Sequence, residues 1–556
     1  MTGSGLAVAP VRLGRYLNAR TGARLVVGTA CAGGVVALFM RQFGAPGAEM
    51  DEGMVLAYSE RVFHGAVPWR DFLTFYGPGN LWLVGGASRV FGLSVATERS
   101  VGLGYRLAIV LALYLVARRF GAAAGFLAVV VSAFLLAGQG VQAIAFYGSV
   151  AFAVSGAAAL AHALATPAGR RRSISLVAGG LLFGCCFLVR FDLLLAAALP
   201  MAVLLGALSW RERMRTLVAF LVVAGAYLPQ TVLAGRAGLE RLAHQLLASE
   251  PGRRLPFPTP RGYPGLILAP SILATALLVI VGAVLLRADR RDLQARLLLA
   301  AGLLSAALLP TTLSRADGVH VVAGCVVSLA LLPALVAALA RRVGEHSSAG
   351  LVQLSGYAAA LGVSALAVAV FFGAGMGPLQ TVSSPYPLIT FDVTVGSRSF
   401  PVQDQLEARQ AQAVARAVAR LATPGQSLFV GPVDLRRSNY NDAYLYYLLP
   451  QLKPASFYME LDPQTANRAG SGLARSLRTA DWLILTSRYD GWSEPNSSSK
   501  LGPALPNRIV ARDFCAVLVD GFDTLFRRAA SAQAAAATAP NCTKSSSSPS
   551  WRSHSG

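Results

Sequence analysis

Apolar runs of roughly 17–22 residues return along this chain, each long enough to cross a hydrocarbon layer about 30 Å thick as a helix. Inside a bilayer the backbone must satisfy its own hydrogen bonds, and a helix does so within one segment. Of the 556 residues 54% are hydrophobic and 14% charged, against about 25% charged in a soluble domain. Mean hydropathy is +0.53. About eleven spans are expected, at 24–42, 101–117, 121–138, 143–163, 174–190, 193–209, 216–235, 263–286, 297–311, 319–340 and 352–376. The expected fold class is therefore an all-α polytopic membrane protein.

The charges fix its orientation. Formal net charge is +22, carried by 46 arginines and three lysines. The arginines cluster between apolar runs, at 118–119, 170–172, 211–215, 287–296 and 341–342, the pattern of short cytoplasmic loops. That placement argues against nucleic acid as the partner. Arg12, Arg15 and Arg20 precede the first run, which continues without a small-residue cleavage site and reads as a signal anchor. With 1–23 cytoplasmic, alternation puts all five arginine clusters inside and the C-terminus outside. Arginine in place of lysine, with abundant Ala and Gly, points to a GC-rich bacterial genome, and so to the bacterial cytoplasmic membrane.

Three stretches are then extracytoplasmic: 43–100, 236–262 and everything after about 377. The first holds two helical pieces, about 53–64 and 79–91, expected to lie at the membrane interface. Residues 377–528 change character. An amphipathic helix at 403–421 and strand-like runs at 427–431 and 481–487 suggest a small α/β domain. The tail 529–556 has no periodicity and is expected to be disordered. The core is thus 24–376. Four of six cysteines, Cys31, Cys185, Cys186 and Cys325, fall in expected spans, without metal-ligand spacing.

The polar residues that matter collect on the outer face. Asp51 and Glu52 open the first loop. Arg190 and Asp192 sit between spans five and six, and Arg315, Asp317 and His320 between spans nine and ten. Ionisable groups near membrane depth are costly and mark functional sites. The two arginine clusters mix acid and base within three residues. Asp51 and Glu52 are open to two readings, capping the helix that follows or supplying a base or metal-binding acid. Arg190 pairs with Asp192 in one reading and holds a phosphate in the other. Arg315 divides the same way, and His320 either partners Asp317 or joins Arg315 in binding an anion. His64 reads as a helix-surface residue. Tyr76-Gly77-Pro78-Gly79 is a turn opening a helix, and Trp69 and Tyr76 suit an aromatic belt.

The segment 51–79 resembles the first periplasmic loop of the GT-C superfamily of polyprenyl-phosphate-dependent membrane glycosyltransferases, in its protein mannosyltransferase and aminoarabinose transferase branch. The pattern reads Asp51-Glu52, then Gly65-Ala-Val-Pro68-Trp69-Arg70-Asp71-Phe72, then Tyr76-Gly77-Pro78-Gly79. LVRFD at 188–192 and SRADGVH at 314–320 are similar to outer-face motifs of bacterial members.

The resemblance implies a GT-C fold with a C-terminal extracytoplasmic domain, and transfer of a sugar from a polyprenyl-phosphate donor to an extracytoplasmic acceptor, a glycan, glycolipid or protein. Asp51 would be the base, with Glu52 as its neighbour. Arg315, Arg190 and His320 would hold the donor phosphate, with Asp192, Asp317, Asp71 and Tyr76 in support. The lipid-linked sugar is a substrate, no cofactor is fixed, and a divalent metal stays open. Some members carry a further acid in the second outer loop, where this chain offers only Gln139 and Gln142. The rival readings are a transporter or lipid flippase, whose halves often repeat, and an envelope assembly protein. Sugar, acceptor and oligomeric state are not legible in the sequence.

Overall fold

The computed structural model describes residues 19–258, 263–344 and 389–529, apart from 438–439, 460, 462–465 and 497–498. The expected span at 352–376 and the tail lie outside the described residues.

Among the described residues, the helices before the first strand begin with α1 (Ala19–Met40), α2 (Asp51–Phe63), α3 (Gly79–Phe91), α4 (Val95–Ala117), α5 (Ala122–Ala137), α6 (Ala145–Leu164) and α7 (Arg170–Val189). They continue as α8 (Leu194–Leu205), α9 (Trp210–Ala224), α10 (Tyr227–Arg253), α11 (Tyr263–Ala288), α12 (Leu293–Ser314), α13 (Gly318–Ala330) and α14 (Leu332–Gly344). Their starts follow local chemistry. Ser94 caps α4, Ser209 and Glu212 form a capping box on α9, and Asp292 and Asp317 cap α12 and α13.

Among the described residues seven helices are long and apolar enough to cross a bilayer, not eleven. Gly28–Met40, Ala122–Ala137 and Phe191–Leu205 are apolar but shorter. At 1.5 Å per residue, the 16-residue α5 reaches only about 24 Å, short of a hydrocarbon layer of about 30 Å. The helix α8 starts only after the backbone leaves helical geometry at Arg190.

Small residues let these helices meet closely. A Cβ at Gly180 of α7 would stand 2.2 Å from the Thr216 carbonyl oxygen of α9. The arginine-rich connections gather at one end of the bundle. There Arg172 pairs with Glu212 at 2.6 Å, Arg342 with Asp292 at 3.5 Å, and the Gln294 amide donates to the Arg119 carbonyl at 2.6 Å.

The opposite end carries α2, α3 and a β/α domain. Its hairpin joins β1 (Phe391–Val395) to β2 (Arg398–Val402). A five-stranded sheet runs β4-β3-β5-β7-β6, from β3 (Ser427–Pro432), β4 (Lys453–Pro454), β5 (Trp482–Thr486), β6 (Phe514–Asp520) and β7 (Asp523–Arg528). β3 is parallel to β4 and β5, while β7 is antiparallel to β5 and β6. Every residue of β5 is buried, which suits its continuous apolar run to the sheet centre. The helix α15 (Gln405–Leu421) buries Ala408, Ala411, Val414, Ala415 and Val418 on one face, the helical spacing that marks it as amphipathic.

This domain grips the first loop. Gly47 N–H donates to the Pro401 carbonyl at 2.7 Å, and Tyr444 N–H to the Glu49 carbonyl at 3.0 Å. Arg398 makes a two-pronged pair with Glu60 at 2.6 and 2.7 Å. A Cβ at Gly53 would lie 2.3 Å from the Tyr444 nitrogen, so α2 is seated directly on the backbone of the short helix α16 (Tyr444–Leu448).

Candidate active site

The helix ends on that side enclose a cavity of about 340 Å³. Asp51, Tyr76, Arg190, Arg315, Asp317 and His320 all line it, so the three clusters separated in sequence meet in space.

Asp51 is the first residue of α2 and is exposed to the cavity. The N-cap is Met50, which makes no side-chain cap bond, so Asp51 and Glu52 lie in the first turn and are not the cap. The positive end of the helix still favours a carboxylate there. Tyr440 stands beside this turn, its hydroxyl accepting from Met50 N–H at 3.3 Å. Burial pushes that hydroxyl well above the ordinary tyrosine range, and the nearby charges of Asp51 and Glu49 add to the effect.

Glu52 does not share the cavity. It is wholly buried and bound on both oxygens by Arg99, at 2.7 and 2.9 Å. Arg99 also donates to the carbonyls of Phe43 and Ala45, at 2.6 and 2.7 Å. Glu52, expected beside Asp51 at the catalytic position, is thus placed in an interior ion pair with Arg99. Successive helical residues point about 100° apart, so one faces the cavity and the next the interior.

Arg190 sits where α7 ends in an extended conformation. Asp192 takes its guanidinium at 2.6 and 3.0 Å, and the rings of Tyr76 and Phe146 lie 5.1 and 4.9 Å from its charge centre. Aromatic faces hold a guanidinium without neutralising it. Tyr76 is brought there by its turn. Gly77 N–H donates to the Val189 carbonyl at 3.0 Å, and a Cβ on Gly77 would stand 2.1 Å from the Leu188 carbonyl oxygen. Turn chemistry alone therefore understates the requirement for glycine here.

Arg315 follows α12 and reaches two carboxylates, Asp317 at 3.0 Å and Glu494 at 2.5 Å. Asp317 caps α13, accepting from His320 N–H at 3.0 Å, and meets the His320 ring Nδ1 at 2.9 Å. Burial opposes ionisation of Asp317, but His320 and Arg315 prevail and hold its carboxyl well below the usual range.

Other expected residues stand apart. Asp71 braces its own turn, accepting from Val67 N–H at 2.7 Å and pairing with Arg70 at 2.9 Å. Trp69 is 2% exposed, donates to the Thr74 carbonyl at 3.1 Å, and packs in a cluster with Phe191 and Tyr227. It is a core residue and not part of an interfacial belt. His64 is exposed, its Nδ1 2.9 Å from the Glu60 carbonyl.

Two groups escaped the sequence reading. One lies beneath the cavity. Glu98 accepts from Ala143 N–H at 2.5 Å, and the buried Arg106 donates to the Gln142 carbonyl at 2.6 Å with its charge 4.0 Å from the Tyr147 ring. Asn80, on the cavity wall, donates to the Ala143 carbonyl at 2.8 Å. The second outer loop is thus held by side chains of α3 and α4. The other group comes from the β/α domain: Tyr440, Trp492 and Glu494 form part of the cavity wall. They sit on segments following the carboxyl ends of the parallel strands β3 and β5, where open α/β sheets place ligand contacts. That rule is the signal that points to them.

Asp51, Asp317 and Glu494 are three carboxylates around one cavity, yet two of them are engaged by Arg315 and His320. Among the described residues no group of three or more His, Cys, Asp or Glu side chains is placed to hold a metal ion.

No protein family and no curated protein matches the chain by sequence. Solved structures do match its fold. ArnT from Cupriavidus metallidurans bound to undecaprenyl phosphate aligns over 91% of this chain and 98% of its own, at 15% identity and a TM-score of 0.50. The same protein in the apo state aligns over 92% and 98%, at 16% identity and the same score. An oligosaccharyltransferase from Archaeoglobus fulgidus, in complex with Zn and sulfate, aligns over 88% of this chain and 68% of its own, at 12% identity and a TM-score of 0.45. The multispan helical core with a β/α domain at one end is the fold shared with ArnT.

Proposed function

We propose that this chain is a GT-C glycosyltransferase of a bacterial cytoplasmic membrane, taking a sugar from a polyprenyl-phosphate carrier and placing it on an extracytoplasmic acceptor hydroxyl. One observation carries the reading: a carboxylate at a helix start and two arginines from distant helix ends share one cavity at the end of the bundle opposite the arginine-rich loops. The positive-inside rule makes that end the outer one. The shared fold supports the same reading, since the matched ArnT structure holds undecaprenyl phosphate.

In this mechanism Asp51 accepts the proton of the acceptor hydroxyl as its oxygen attacks the anomeric carbon. The bond from that carbon to the phosphate oxygen breaks, and the electron pair leaves on polyprenyl phosphate. Direct attack inverts the anomeric centre. The leaving group is already anionic, so it needs positive charge more than a proton. Arg315 and Arg190 supply it from fixed positions, with His320 beside them. Asp192 and Asp317 hold the two guanidinium groups in place. Glu52 and Asp71 keep the loop in shape and take no part in the chemistry.

The test is the purified protein in nanodiscs with a panel of polyprenyl-phosphate sugars, reading release of polyprenyl phosphate. At least one donor should be consumed, and Arg315→Ala should lose that turnover. If no donor is consumed, and intact donor crosses vesicle membranes instead, the flippase reading replaces this one.

A further inference from the structure

Arg315 holds one carboxylate beside it in the chain and one remote from it, and they are not held equally. Asp317 is two residues away and built into the start of α13. Its Oδ1 receives the His320 backbone N–H, and His320 Nδ1 lies 2.9 Å from each of its oxygens. Removing it from Arg315 would disturb a helix cap as well as an ion pair. Glu494 arrives from the segment after β5, 179 residues away in sequence. Its second oxygen accepts from the Asn496 side-chain amide at 2.7 Å, so it keeps a local partner if it leaves Arg315.

The donor's phosphate diester presents a guanidinium with two acceptor oxygens and one negative charge, as a carboxylate does, and the monoester released by transfer carries more charge. The position now taken by Glu494 is on the cavity wall, where a phosphate entering the cavity would meet Arg315. Three anionic groups around one guanidinium repel one another. Of the two residents, Glu494 is the one whose departure leaves no helix uncapped.

Resting on the reading of Arg315 as a ligand of the donor phosphate, we propose that Glu494 is an in-chain stand-in for that phosphate. The donor takes over the bond to Arg315, and Glu494 withdraws with its segment. The consequence reaches the other side of the cavity. Trp492, two residues earlier, lies on the same wall with its ring 5.8 Å from that of Tyr440, and Tyr440 stands beside Asp51. Arg488, at the root of the segment, stays anchored by Glu407, Asp442 and Asp523 at 2.9, 3.2 and 3.0 Å. Donor loading therefore shifts residues 489–496 about a fixed root and reshapes the wall near the base before the acceptor enters.

The experiment measures undecaprenyl phosphate binding to the full chain in nanodiscs for the unaltered protein, Glu494→Gln, Glu494→Ala and Arg315→Ala. It also follows backbone hydrogen exchange across 487–496. Removing the competing charge should tighten binding about 10-fold in both Glu494 variants, as expected for a charged hydrogen-bond partner. Undecaprenyl phosphate should also raise exchange across 487–496 in the unaltered protein. Unchanged or weaker binding in both Glu494 variants, with binding lost in Arg315→Ala, would overturn the stand-in while leaving Arg315 as the phosphate ligand. Unchanged binding in Arg315→Ala would remove the reading beneath it.

Discussion

Two sets of charges occupy the same end of the helical bundle. The lower set, Glu52, Glu98, Arg99 and Arg106, is sealed from solvent and bound to backbone and to itself. The upper set, Asp51, Arg190, Arg315 and His320, lines a cavity. Charge alone does not separate them, and neither does sequence, since Asp51 and Glu52 are neighbours. What separates them is where the remaining valence of each group points. The lower charges face the interior, and their bonds to Phe43, Ala45, Gln142 and Ala143 hold the first and second outer loops onto α4. The upper ones face a space large enough for a ligand. The pairs at Arg190 and Arg315 each have a member on the cavity wall, and the Arg99–Glu52 pair has none.

The sharpest break between the sets should come from Arg99→Met. It leaves Glu52 buried and uncompensated, a loss of about 3–5 kcal/mol, visible as a lowered melting midpoint and a poor folded yield. Adding Glu52→Leu should restore most of that loss, because removing both members of a buried pair is often near neutral. Arg315→Ala should behave in the opposite way. Undecaprenyl phosphate affinity should fall by about 10- to 100-fold, as for loss of a charge-assisted bond, with the melting midpoint nearly unmoved. A large drop in stability there would place Arg315 with the lower set.

A third prediction concerns the interface between the first loop and the β/α domain. Burial, with Glu407 and Asp442 nearby, pushes the Glu49 carboxyl up to about 8, and burial with Asp442 pushes Asp523 up to about 6. Both lie above the ordinary carboxylate range, so the folded protein keeps protons that the unfolded chain has released. The stability they contribute is full below about pH 4.5 and is lost as pH rises to about 8. With about 1.4 kcal/mol per pKa unit, discounted for the solvent that reaches half-buried Glu49, the loss from Glu49 alone is on the order of 2 kcal/mol. The melting midpoint should fall across that window, and Glu49→Gln should flatten the fall. The smallest effect is expected at Arg236, paired to Glu240 with both side chains in solvent, at 92% and 61% exposure. Arg236→Ala should change neither melting nor turnover measurably.

Much of the upper set was legible because Asp51, Arg190 and Arg315 interrupt or border apolar runs, where an ionisable residue stands out. The different surroundings of Asp51 and Glu52 were not legible, because adjacency in sequence hides the turn of a helix. Glu98 and Arg99 were missed because the span was expected from 101, which left them in a loop. The helix begins at Val95, with Ser94 as its cap, and carries Glu98 in its first turn and Arg99 directly after it. Among the spans, the third fell short because Gly121 and Gly138 bound a run of only 16 residues, whereas the ninth extends to Leu293–Ser314 beyond its apolar centre. The strands β3 and β5 were visible as buried runs, but their parallel pairing was not. Tyr440, Trp492 and Glu494 depend on that pairing, and Glu494 meets Arg315 across 179 residues, a contact that no local pattern encodes.

The central claim is that Asp51 takes the proton from the acceptor while its neighbour Glu52 only holds the fold. The most direct measurement is the rate of sugar transfer by Asp51→Asn, at matched folded concentration, with undecaprenyl phosphate binding and the melting midpoint recorded alongside. A loss of at least about 10²-fold in transfer, with binding and melting unchanged, is the predicted result. Full transfer activity in a normally folded Asp51→Asn protein would contradict it.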